Sequence, residues 1–247
     1  MRVLKITAKG ITTSFRYPFF MQGVQPTFEM PPPATIYGHI ASALGEWFEP
    51  DGVRFGVIFE YRRKMEEMEH THILSPSSGK IPGTGVPKVL EGKVNPFRRE
   101  LLFMPEMTLY LDKPEWAEAF RHPRYAVALG RSQDLFTYTD VRVVDLLRSD
   151  HAYFEHTLAP YSFARKTAMG VVVLMPRFLD YGRERFPSFD RYVVLHRRVH
   201  TRDFLRFEGE GRELFWVDPE SEEVEGDLRG VLFHTWTGND GGTLSLA

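Results

Sequence analysis

Apolar and polar side chains alternate from the start of the chain. Leu4, Ile6 and Ala8 fall on one side of an extended segment, and Lys5, Thr7 and Lys9 on the other. That spacing predicts a half-buried strand over 3–8 with a polar outer face. The period then changes. Ile36, Ile40, Ala43, Leu44 and Trp47 recur at helical intervals, which predicts an amphipathic helix from an N-cap at Thr35 to near Phe48. Phe55, Val57, Phe59 and Tyr61 share one face of a second strand over 54–62. Residues 100–111 predict another strand, bulged at Pro105. Pro114 opens a short helix through Arg121, and 125–129 reads as a strand.

Between the second and third of these strands, 70–99 is rich in Pro and Gly and carries Lys80, Lys88, Lys93, Arg98 and Arg99. Its prolines exclude a central sheet position, so a long protruding hairpin is expected. The order strand, helix, strand, strand, helix, strand is the ferredoxin-like βαββαβ pattern of an α+β fold. Residues 1–147 form this unit, with 141–147 as a further strand. Residues 148–247 read as a smaller β-rich region with strands at 171–175, 191–199, 213–217 and 231–236, and 150–157 is ambiguous. Segment 218–227 reads as a solvated acidic loop and the tail from Gly238 as frayed or partner-dependent.

The stretch 12–39 is too long for an ordinary connection. It sets Phe15, Tyr17, Phe19, Phe20, Phe28 and Tyr37 among Thr12, Thr13, Ser14, Arg16, Gln22 and Gln25, and ends in Pro31, Pro32 and Pro33. Rings interleaved with hydrogen-bonding groups suit a surface that grips phosphates and stacks bases. The same rings would also serve to cap one end of a sheet.

Charge changes this picture. The net value is −2, yet residues 208–227 hold nine acids and one base, while 1–207 carry 29 bases against 23 acids. Most of the chain is mildly basic, and one acidic segment hides it. Arginine outnumbers lysine 23 to 8, and its planar fork suits phosphate and base edges, although a GC-rich genome has the same effect on composition. There is no cysteine, no apolar signal core and no apolar run longer than 171–175. A cytoplasmic protein outside the membrane is expected.

Four blocks carry a resemblance: Ser14-Phe15-Arg16, Gln25-Pro26-Thr27, Pro-Pro-Pro-Ala-Thr-Ile-Tyr-Gly at 31–38, and Leu-Gly-Arg-Ser-Gln-Asp at 129–134. Together they resemble the Cas-five family of CRISPR-associated RAMP proteins. Val-Leu-Met-Pro-Arg at 173–177 is similar to its type I-B branch. The resemblance implies a subunit of the type I surveillance complex, Cascade, that caps the 5′ handle of the CRISPR RNA. It implies a ferredoxin-like body with a thumb hairpin, and contacts to the backbone and large subunits. Target DNA would be met only indirectly. It implies no cofactor and, in most branches, no catalysis.

The residues expected at RNA are Ser14, Arg16, Gln25, Tyr37, Lys88, Arg98, Arg99, Arg131, Ser132 and Gln133. Cations would neutralise phosphates, Ser and Gln would orient, and Tyr37 and Phe15 are stacking candidates that suit a core equally. Turn 130–133 offers backbone N–H groups for a phosphate. Reversing Arg131 to Glu is expected to weaken handle binding and leave folding intact. The alternative is a metal-independent endoribonuclease using Tyr37, His39 and Lys88 or Lys93. His39 suits a satisfied helix histidine better, and no adjacent Lys-His pair is present.

His70-x-His72 and His196-x-x-x-His200 are not read as metal sites. The second pair, placed in a strand, would stand more than about 13 Å apart. Trp216 and Trp236 are read as core before interface anchors.

Overall fold

The computed structural model describes residues 1–20, 23–205 and 213–238. Gln22, the start of the acidic segment and nearly all of the tail lie outside them.

Strand β1 (Arg2–Gly10), helix α1 (Pro33–Leu44), strand β2 (Phe55–Glu60), strands β3 (Arg63–Pro76) and β4 (Leu90–Phe103), strand β5 (Glu106–Leu111), helix α2 (Ala117–Arg121) and strand β6 (Phe136–Asp145) follow in order. The sheet runs β6-β1-β5-β2, with every neighbour antiparallel. It then continues through β7 (Thr157–Pro160), β9 (Phe186–Leu195) and β8 (Val171–Asp180). One seven-stranded sheet therefore spans both of the regions expected from sequence. The fold is α+β and mostly sheet.

Alternation explains how the sheet is covered. Leu4, Ile6, Ala8, Phe55, Val57, Phe59, Met107, Leu109 and Leu111 face the helices and pack on Ile36, Ile40, Ala43 and Phe120. The opposite face is solvated only toward the end of β1, where Lys9 is exposed and Thr7 half-buried, and not at Lys5, contrary to the fully polar outer face expected. Val3, Ile58, Tyr110 and Val144 pack there under Val231, with Trp216 beside them. Lys5 is 9% exposed; its Nζ pairs with Asp218 Oδ2 at 2.5 Å, and Tyr110 Oη donates to the same oxygen at 2.7 Å. The C-terminal region supplies the anion that lets a lysine be buried. Asp218 and Asp227 are buried, so 218–227 is not simply a solvated loop, although Glu222, Glu223 and Glu225 are exposed.

Other expectations shift. The N-cap of α1 is Pro32, with Pro33 at the first helical position and Thr35 inside the helix. Prolines with φ fixed near −65° start the helix three residues early. It ends at Leu44 because Gly45 is left-handed at φ 86°, where a Cβ would strike the Arg124 side chain. The stretch 125–129 is not a strand. Only Ala128 makes an isolated bridge, to Leu135, before the chain turns at Gly130 with φ 103°. The fourth strand is β6, five residues earlier than the 141–147 expected. The strand expected over 100–111 is broken at Met104 (φ 52°) and Pro105. Likewise 191–199 is two strands, β9 and Val199–His200, so His196 and His200 do not share one strand. Among the described residues the last strand is Leu228–Val231, not 231–236. Trp236 is 2% exposed and donates Nε1–H to Pro33 O at 2.7 Å, a core role; Trp216 is half-buried under Arg148.

β3 and β4 pair over fourteen positions, from Arg63↔Phe103 to Pro76↔Leu90. At about 3.3 Å per residue this ribbon projects roughly 45 Å. It continues the β2/β5 ladder outward, begins seven residues before the hairpin expected at 70–99, and is exposed on both faces beyond His70.

Candidate nucleic-acid interface

The loop after β1 folds onto the base of this ribbon. Thr12 and Thr13 pair antiparallel with Phe103 and Leu102, and Val24 and Gln25 pair parallel with Arg98 and Arg99. Phe15 and Phe28 are buried, with Phe15 edge-on to Phe59 at 5.4 Å. Phe19 and Phe20 stay exposed, at 64% and 50%. Some of the loop's rings thus cap the end of the sheet, and Phe19 and Phe20 remain at the surface.

Turn 130–134 closes against the same strands. Thr13 Oγ1 donates to Leu129 O at 2.5 Å and Thr12 Oγ1 to Asp134 Oδ1 at 3.1 Å. Gly130 sits so tightly on Thr13 and Ser14 that a Cβ would collide with both. The structure therefore gathers Ser14, Gln25, Arg98, Arg99, Arg131, Ser132 and Gln133 at the ribbon base.

Their electrostatics differ from expectation. Arg131 donates Nε–H and Nη2–H to the two Asp134 oxygens, both at 2.9 Å, and Nη1 reaches Glu67 at 2.6 Å and Glu69 at 2.5 Å. Arg99 Nε adds a bond to Glu69 at 2.8 Å. Two guanidiniums thus meet three carboxylates. Burial alone would raise the Glu69 carboxyl, but Arg99 and Arg131 outweigh it and hold it below the usual range. Arg131 is a strut more than a free phosphate ligand, so its reversal is not expected to leave folding intact. Of the cations expected at RNA, Arg16 and Arg98 are exposed here, the latter only loosely paired with Glu66 at 3.8 Å. Ser132 and Gln133 are exposed. Ser14 Oγ and Gln25 Oε1 are buried and have no hydrogen-bond partner among the described residues, an arrangement that costs about 1–3 kcal/mol for each group left unmade.

Three expected residues lie elsewhere in role. Tyr37 is 3% exposed, donates to Phe48 O at 2.6 Å and packs among Trp47, Tyr181 and Trp236, so it is no free stacking platform. His39 is held by Ala128 O and Tyr138 Oη, each at 2.9 Å, and burial depresses its pKa although the Ala128 bond opposes this. Lys88 stands toward the ribbon tip, paired with Glu91 at 3.3 Å. Tyr37, His39 and Lys88 do not form one site.

A second cluster went unread in the sequence. Glu29, Tyr61, Lys64, Glu100 and His196 meet beside a cavity of about 470 Å³. Its members come from four separate parts of the chain, 29, 61–64, 100 and 196, so no local window holds it.

No protein-family model matches the sequence, and no curated protein matches it. Solved structures do. A chain of a CRISPR RNA-guided surveillance complex superposes with a TM-score of 0.51 at 15% identity, over 80% of this chain and 89% of its own. The fold is one found in a CRISPR surveillance complex. A CRISPR protein from Archaeoglobus fulgidus gives a TM-score of 0.46 at 9% identity, over 95% of this chain and 100% of its own. A chain of a type III-B Cmr-beta complex bound to cognate target RNA and AMPPnP gives 0.44 at 13%, over 82% and 86%.

Proposed function

We propose that this chain is a non-catalytic RNA-binding subunit of a type I CRISPR surveillance complex, of the Cas-five kind, which caps the 5′ handle of the CRISPR RNA. The observation that carries this reading is the convergence at the ribbon base. Residues separated by more than a hundred positions, Ser14, Gln25, Arg98 and Ser132 among them, are brought to one place by strand pairing and turn packing. Exposed Arg16 and Arg98 would neutralise phosphates, while Ser132, Gln133 and the turn's N–H groups would orient the backbone. The strand order β6-β1-β5-β2 with two helices on one face supports the ferredoxin-like reading, and β3–β4 the thumb. A free ribbon with both faces exposed needs partners to cover it. The backbone and large subunits would fill that role, in the cytoplasm.

The test uses purified protein and labelled CRISPR repeat RNA with chelator present. Handle-dependent binding without cutting is expected, with Arg98→Glu weakening it several-fold. A single cut at the handle boundary would instead make the chain a processing endonuclease, and equal affinity for handle and scrambled RNA would sink the capping role.

A further inference from the structure

The cavity beside Glu29 has the composition of a small-molecule pocket, not of a packing defect. Its walls are apolar: Tyr17 stacked on Phe28 at 3.7 Å between centroids, Phe20, and Val171, Val173 and Met175 from β8. Its floor is charged. Lys64 Nζ lies 2.8 Å from Glu100 Oε2 and 3.3 Å from Glu29 Oε1. Glu29 Oε2 accepts from Tyr61 Oη at 2.6 Å and faces His196 Nε2 at 3.3 Å. The space, about 470 Å³, falls in the range of small-ligand sites.

The polar atoms that the floor turns to solvent set the chemistry a ligand would meet. Glu100 Oε2 already takes Thr27 N–H and Lys64, while Oε1 receives no hydrogen bond from the described residues. Lys64 has three N–H donors and spends two. Their side chains are 22% and 34% exposed, so Glu100 presents an acceptor and Lys64 a donor to the solvent-open cavity, beside aromatic and aliphatic walls. A flat heterocycle with a donor beside an acceptor on one edge completes both. The Watson–Crick edge of a nucleobase has that arrangement, and single-stranded bases are recognised through stacking plus this edge. Burial would draw protons off Lys64 and His196. For Lys64 the two carboxylates outweigh it, so its pKa is raised; for His196 burial wins over Glu29 and its pKa is lowered. At neutral pH the floor then holds an ammonium at Lys64 and a neutral imidazole at His196.

We infer that this cavity takes one unstacked nucleobase, held between Phe20 and the β8 valines and read on its Watson–Crick edge by Glu100 and Lys64. In the RNA-binding reading above, on which this rests, the base is one of the RNA's own. The same chemistry would take the base of a free nucleotide.

The experiment is an abasic scan. Each nucleotide of the bound repeat RNA is replaced in turn by an abasic residue, and affinity is measured by fluorescence anisotropy for the wild type, Val171→Trp and Lys64→Met. Val171 is 59% exposed at the cavity wall, so tryptophan fills the space at little cost to folding. In the wild type, one position is expected to lose roughly tenfold, the scale of one stacked and read base. In both variants that one penalty should vanish while the others persist, a coupling that misfolding does not imitate. If every penalty survives in both variants, the pocket inference is wrong and the RNA reading stands. If the wild type binds no RNA, that reading falls, and the four ribonucleoside monophosphates are titrated directly. Uptake lost in Val171→Trp would then uphold the pocket with a free nucleotide, and no uptake would overturn it as well.

Discussion

Replacing Arg131 by alanine tests whether the ribbon base is held by charge pairing or is a free phosphate site. The substitution removes a guanidinium that closes on Asp134, Glu67 and Glu69. Asp134 has a fully buried side chain and keeps only Thr12 Oγ1 at 3.1 Å and the residue-131 N–H at 3.0 Å. Breaking a buried pair by deleting one partner costs about 3–5 kcal/mol. Glu67 is 38% exposed and regains water, and the two remaining Asp134 bonds soften the loss. A cost of about 2–4 kcal/mol is expected, which in a chain of this size lowers Tm by roughly 5–15 °C. Differential scanning fluorimetry and urea unfolding would measure it, alongside RNA affinity. Arg131→Lys should recover only part, because an ammonium cannot make the forked contact with Asp134. An alanine variant of wild-type stability that had lost RNA affinity would refute this reasoning and restore Arg131 as a phosphate ligand.

Lys5→Met should destabilise by about 3 kcal/mol because it strands Asp218, whereas Lys5→Met with Asp218→Leu should recover much of that by urea unfolding. Gly130→Val should destabilise by at least about 2 kcal/mol, since φ 103° disfavours a β-branched residue and the new side chain meets Thr13 and Ser14; circular dichroism melts would show it. Acid should unfold the protein through Asp218 and Glu69. For Asp218 burial raises the pKa, but Lys5 and Tyr110 outweigh it, so like Glu69 it sits below its free value. Their stabilisation is whole above the unfolded-state pKa near 4 and drains away as pH falls through the lower folded values. A stability profile flat from pH 7 down to 3 would contradict this.

Local pattern determined much of this protein. Alternating Leu4, Ile6 and Ala8, the helical spacing of Ile36, Ile40 and Ala43, and the Pro- and Gly-rich interval after His70 are properties of short windows, and they became β1, α1 and the ribbon. The resemblance blocks at 14–16, 25–27 and 129–134 came together at the ribbon base. What no window could contain was the second cover of the sheet. Lys5 looked solvent-facing because its counter-ion, Asp218, lies 213 residues away. Arg131 looked like a phosphate ligand because Glu67 and Glu69 reach it only where turn 130–134 packs, through Thr12 and Thr13, on the base of the ribbon. Periodicity says which side chains share a face. Only long-range packing says what meets that face, and so whether a charge is spent inside the protein or left for a ligand.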